Sequence, residues 1–264
     1  MKKSQKISFI AVGFCILIGF AAVITNNYKT KTSFKYKNKI TKEETIKVNK
    51  TQDAVVKAIN KNTRDPKIMA IDRHVLEISK NDIVYGDPSA PVTMIEYSSL
   101  SCPHCAAFNN DAFDILNEEY IKTKKMKFIH RDFPLNNPAL AASLFAICQA
   151  EDSAKDQKSE KYYNLIKALF KTQESWAFDP KYIEKLTSIA RLDGMTPERF
   201  KECIDDKKIQ QRVLTARMAA AKGLNIKSTP TFFINGEVME GYADYLSIQT
   251  LIDAKLAQTQ QTKH

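Results

Sequence analysis

Cys102-Pro103-His104-Cys105 sets two thiols two residues apart in a chain that uses cysteine sparingly. Such a pair can ligate a metal, staple the chain, or cycle between dithiol and disulfide. A zinc site needs four ligands, usually two such pairs or one pair with two suitably spaced histidines. Here there is one pair, and His74, His130 and His264 are scattered, as ordinary surface or core histidines would be. A disulfide inside Cys-x-x-Cys closes a very small loop and constrains the unfolded chain little, so it makes a poor staple. Redox exchange is the chemistry that suits the pair.

The flanking residues say which thiol reacts. Val92 to Tyr97, VTMIEY, reads as a buried strand, and Ala106, Phe108, Phe113, Leu116 and Tyr120 suggest a helix after Cys102. A cysteine ending a strand and opening a helix meets free backbone N–H groups and the positive end of the helix dipole, which stabilise a thiolate. Cys102 is therefore the expected nucleophile. Cys105, about one turn further on and deeper, is the expected resolving partner. Pro103 occupies a first-turn position where its missing N–H costs little. His104 can place a donor or partial positive charge near the Cys102 sulfur. Stabilising the reduced form makes the disulfide more oxidising.

The elements that must position these residues follow from pattern and turn chemistry. Met126 to Asp132, MKFIHRD, reads as the next strand, so strand, helix and strand imply parallel pairing in an α/β fold. Asn137-Pro138 is expected to open a helix as cap and first residue, Asp179-Pro180 to open another that Gly194 closes, and Thr196-Pro197 a third. YYNLIKALF has its own amphipathic pattern, and Gly223 ends the helix through VLTARMAAAK. TFFI and EVME flank Asn235-Gly236, a two-residue hairpin signal, and a last helix runs from Leu246 to Leu256. Upstream, DAVVKAIN and KIMAIDRHVLEIS show helical spacing divided near Asp65-Pro66. These read as an N-terminal extension packed on the core, with a dimerisation arm as the alternative.

The N-terminus speaks to compartment. After MKKSQK, Ile7 to Ile24 runs 18 residues without a charge, which directs export. Two readings stand: a signal peptide over residues 1–21, cleaved after Ala21, or an uncleaved anchor over residues 7–24. Lys29, Lys31, Lys35, Lys37 and Lys39 would lie outside such an anchor, against the positive-inside rule, so cleavage is favoured. The net charge of +10 comes from lysines spread along the chain. No basic stripe interleaved with aromatics accompanies it, and nucleic-acid binding is not expected. Cleavage leaves Cys102, Cys105, Cys148 and Cys203, an even count suited to an oxidising compartment. Cys148 and Cys203 are expected to form a structural disulfide worth about 4 kcal/mol by chain entropy, with buried free thiols as the alternative.

The CPHC motif, Glu96 six residues before Cys102, and Ser228-Thr229-Pro230-Thr231-Phe232 together resemble the DsbA family of periplasmic thiol:disulfide oxidoreductases, over about residues 81–258. The resemblance implies a thioredoxin-like fold with a helical insertion over about 137–222; outside it, the residue pattern gives a lysine-rich linker and helical extension over 22–80 and a tail at 259–264. It implies that Pro230 is a cis-proline facing the active-site disulfide, that the Thr229 backbone can pair with a bound peptide strand, and that Glu96 is a buried acid helping to move a proton to or from Cys105. No metal or other cofactor is implied. The implied partners are reduced exported proteins and a quinone-linked membrane reoxidant of the DsbB type, and the implied place is the periplasm. The expected activity is donation of the Cys102–Cys105 disulfide. A disulfide isomerase or reductase, and a non-catalytic assembly module on the same scaffold, are the alternatives.

Overall fold

The computed structural model describes residues 72–261. The export segment, the lysine-rich linker and the first expected N-terminal helix lie outside the described residues. Of the second expected helix, residues 72–79 are described, and they form only a 3-10 turn at Arg73–Leu76, with extended backbone resuming at Glu77. Helical spacing of apolar residues was misleading here because Val75 and Leu76 pack as a pair against the sheet, not as a helix face.

Two short strands lead in: β1 (Val84–Tyr85) and β2 (Val92–Ser98). Helix α1 (Pro103–Phe108) continues through π-helical Asn109–Phe113, an α-turn at Asp114–Leu116 and π-helical Asn117–Ile121. After β3 (Met126–Asp132) come α2 (Asn137–Glu151), α3 (Lys158–Lys171), α4 (Tyr182–Leu192), α5 (Pro197–Asp205) and α6 (Lys207–Gly223). The chain closes with β4 (Thr231–Ile234), β5 (Glu237–Glu240) and α7 (Tyr245–Gln261). The sheet order is β1-β3-β2-β4-β5. β2 and β3 are parallel, as the crossover through α1 requires, and the other pairs are antiparallel.

Turn and cap chemistry explains the boundaries. Asn136, one residue earlier than expected, caps α2 by accepting the Ala139 N–H at 2.9 Å. Asp179 does not open α4: its carboxylate accepts the Lys181 N–H at 2.7 Å in a local turn, and the helix starts at Tyr182. Thr196 caps α5 as expected. Asn235 and Gly236 both take positive φ, 46° and 81°, the geometry that a tight hairpin between twisted strands needs. Gly86, at φ 99°, is required twice over, since a Cβ there would stand 2.7 Å from Ile121 Cγ2 and 3.2 Å from the Met126 carbonyl.

Strand alternation gives the sheet two chemically distinct faces. Ile95, Tyr97, Ile129 and Phe233 form a core with Ala220 of α6 and Leu224 just past its end. The opposite face carries Met94 and Phe128, and it also carries Glu96 paired with His130, and Ser98 paired with Asp132, in register on β2 and β3. Residues ahead of β1 belong to this fold. Arg131 forks onto Asp82, Nε to Oδ1 at 2.9 Å and Nη2 to Oδ2 at 2.8 Å, while Nη1 donates to the Val75 carbonyl and the Tyr97 hydroxyl.

Candidate active site

Cys102 is the N-cap of α1, in extended geometry, with Pro103 in the first turn. The loop before it is fixed by two devices. The Cys102 N–H donates to the Ser99 carbonyl at 2.9 Å, and buried Gln173, just past α3, donates through Nε2 to the carbonyls of Leu100 (2.8 Å) and Cys102 (3.0 Å). Gln173 was not legible in the sequence, because nothing in it signals that the end of α3 returns to the cysteine loop. Cys102 keeps 7% of its surface exposed and Cys105 none, so an incoming sulfur can meet only Cys102.

The two thiols are driven apart in acidity. Cys102 is pulled down to about 5, first by the hydrogen bond from the Cys105 thiol, against the cost of burial, and further by the backbone N–H groups of Cys105 and His104. Cys105 is pushed well above the ordinary thiol range, chiefly by burial, then by its partner sulfur and the charge of Glu96. The His104 side chain is exposed, and its backbone N–H is one of the donors that lower the Cys102 thiol.

Across from the pair, the Thr229–Pro230 peptide is cis, and the Cys102 Sγ donates to the Thr229 carbonyl at 3.2 Å. The Pro230 carbonyl is held by the Gly241 N–H at 2.9 Å. Cys102, Cys105, Pro103, His104, Thr229 and Pro230 thus meet at one place, with Glu96 buried beneath.

Glu96 does not pair with Lys127, whose ammonium donates to the carbonyls of Pro88 and Ala90. Its neighbour is His130, with Nδ1 at 3.8 Å from Oε2, while His130 Nε2 lies 3.6 Å from Asp132 Oδ1. Burial opposes charge on this imidazole, but the carboxylates of Asp132 and Glu96 outweigh it and lift His130 to about 9. The sequence reading treated His130 as ordinary. A signal existed: VTMIEYS and MKFIHRD are parallel heptapeptides, and Glu96 and His130 each stand fifth.

Cys148 on α2 and Cys203 on α5 form a disulfide with Cα atoms 5.6 Å apart. Among the described residues, the group of potential metal ligands found is these two cysteines with Asp152, and both sulfurs are spent in the disulfide.

Residues 78–254 match the family model described as thioredoxin. The chain belongs to the thioredoxin family. Within that family it is of DsbA type: it is 32% identical to the crystal structure of alpha-DsbA1 from Wolbachia pipientis, covering 73% of this chain and 99% of that one, with a TM-score of 0.67. BdbD from Bacillus subtilis is 25% identical over 67% of this chain and 94% of its own, with a TM-score of 0.59. A provisionally named protein-disulfide oxidoreductase of Rickettsia typhi is 34% identical over 167 residues. The match spans 63% of this thioredoxin-family chain and 59% of the relative's length. No helix among the described residues is long and apolar enough to cross a membrane.

Proposed function

We propose that this protein is a thiol:disulfide oxidoreductase that donates the Cys102–Cys105 disulfide to exported proteins. The observation that carries the reading is the asymmetry of the pair: Cys102, partly accessible and held down to about 5, beside a fully buried Cys105 pushed the other way. A substrate thiolate attacks Cys102 Sγ, the Cys102–Cys105 bond breaks, and Cys105 leaves and takes up a proton. A second substrate thiol attacks the substrate sulfur of the mixed disulfide and expels Cys102 as thiolate. A sulfur ionised near neutral pH is a good leaving group, so release of product is fast and the reduced enzyme is favoured.

Thr229 and cis-Pro230 lie beside Cys102, where an extended peptide would bind. The Cys148–Cys203 disulfide supports an oxidising compartment, and the export segment supports the periplasm. Turnover then requires a membrane reoxidant of the DsbB type. The test is equilibration of the Cys102–Cys105 pair in glutathione buffers, with Cys148 and Cys203 followed separately. A potential in or above the oxidising glutathione range supports a donor. One near that of thioredoxin, about −270 mV, would replace the donor with a reductase.

A further inference from the structure

Beneath the cysteines lies a row of buried polar groups that sulfur exchange at Cys102 does not itself require. Glu96 and Ser98 of β2 stand in register beside His130 and Asp132 of β3. The side chains of Glu96 and His130 are each 1% exposed and that of Asp132 is 8% exposed. The two gaps along the row, 3.8 Å from Glu96 to His130 and 3.6 Å from His130 to Asp132, suit ion pairing but are too long for direct hydrogen bonds. Glu96 Oε1, Ser98 Oγ and both ring nitrogens of His130 have no hydrogen-bond partner among the described residues. Buried polar atoms left in this way are normally served by bridging water.

The far end of the row is open. His130 and Asp132 line a cavity of about 800 Å³ whose other walls include residues 74–83, the end of α2, the start of α3 and one side of α6. It exists because β1 pairs only with Phe128 and Ile129, which leaves the edge of β3 past His130 without a neighbouring strand. None of Cys102, Thr229 and Pro230 lines it.

We infer that His130 and Asp132 pass protons between Glu96 and this cavity, so that Cys105 exchanges its proton with solvent at the edge of β3 and not across the substrate-binding surface. The inference rests on the disulfide-exchange reading. When a substrate thiolate attacks Cys102 Sγ, the disulfide bond breaks and Cys105 Sγ leaves with the electron pair. A proton moves from the His130 imidazolium through the Glu96 carboxylate to Cys105 Sγ, and neutral His130 regains a proton from cavity water beside Asp132. The only electron pair transferred is the one exchanged between sulfurs, and reoxidation runs the proton path backward.

The groups around the imidazole fit this role. Glu96 faces it from β2 and Asp132 from its own strand, with Cys105 of α1 beyond Glu96. From α3 come the Tyr162 ring and Tyr163, whose hydroxyl accepts the His130 backbone N–H at 2.9 Å. Asp132 is itself oriented by Ser143 of α2 at 2.5 Å and by the Tyr162 hydroxyl at 3.2 Å. Glu151 of α2 and Arg212 of α6, paired at 2.6 Å, and Lys158 and Lys208 line the cavity mouth. The two carboxylates keep His130 protonated near neutral pH, so the proton to be delivered is already in place.

The experiment is stopped-flow reduction of the oxidised full-length protein by glutathione across a pH series, in ordinary and heavy water, for the wild type, His130→Phe, His130→Ala and Asp132→Asn. His130→Phe is expected to slow reduction by at least about tenfold below the His130 titration and to abolish the inflection that the wild type shows there. Added imidazole is expected to restore the rate of His130→Ala in a dose-dependent way, while the Cys102 titration stays in place. Asp132→Asn, which keeps the imidazole, is expected to alter the solvent isotope effect, and it serves as the test if the His130 variants do not fold. Unchanged pH profiles and isotope effects, or no rescue by imidazole, overturn the relay and leave disulfide exchange standing. A wild-type protein that does not exchange with glutathione at all overturns both.

Discussion

The Cys102 Sγ lies 3.2 Å from the Thr229 carbonyl, 127 residues away in sequence, and in its thiol form it donates to that oxygen. A carbonyl acceptor favours the thiol, so the low pKa of Cys102 must come from donors, and the largest contribution is the Cys105 S–H. Cys105→Ala is therefore expected to raise the Cys102 titration from about 5 toward the ordinary thiol range, whereas Cys105→Ser, which keeps a hydroxyl donor, leaves it low. Ultraviolet thiolate absorbance against pH reads both. Equal titrations in the two variants would show that the backbone N–H groups set the acidity instead.

The same shift makes the stability of the reduced protein depend on pH. The folded-state value of Cys102 lies below its unfolded value, so ionisation stabilises the reduced fold; the contribution is complete above the ordinary thiol value of 9.0 and is lost as pH falls through about 5. The oxidised protein has no thiol there to titrate, and titrations common to both forms largely cancel in the difference. Reduced minus oxidised Tm should thus be larger near about pH 8 than near about pH 5. Calorimetry of both forms checks it, and a difference that stays flat across this range would contradict the assigned acidity.

Cys148 and Cys203, separated by 55 positions, tie α2 to α5 within the helical layer, apart from the cysteine loop. Replacing both by alanine should cost about 4 kcal/mol of stability by loop entropy. The reduction potential of Cys102–Cys105 should not move. Denaturant unfolding and glutathione equilibration measure the two separately, and a shifted potential would mean that the disulfide couples to the active site.

Much of this was legible in the sequence, for identifiable reasons. Cys102, Pro103 and Cys105 sit where strand and helix patterns meet, and local backbone chemistry is enough to rank the two thiols. The Asn235-Gly236 turn and the Thr196 cap were likewise set by nearest neighbours. The approach of Thr229 and cis-Pro230 to Cys102 came only through family resemblance, since no local pattern dictates a contact across 127 residues. His130 and Gln173 were missed for the same reason. The first depends on the register of β2 against β3, and the second on where the end of α3 lands. Residues 72–79 failed differently: apolar spacing near a helical period served packing against the sheet.

Gln173 offers a direct test of how the cysteine loop is held. Its Nε2 serves two carbonyls, but that of Cys102 also accepts the Ala106 N–H at 3.1 Å, so Leu100, with no exposed surface, has the carbonyl that loses most. Gln173→Leu keeps the apolar bulk and removes the donor, and one buried carbonyl left unpaired should cost about 1 to 3 kcal/mol. Urea unfolding of the reduced protein reads the loss. A change within error would mean that the loop stands on the Cys102 N–H to Ser99 bond and the first turn of α1 alone, with Gln173 merely packed against it.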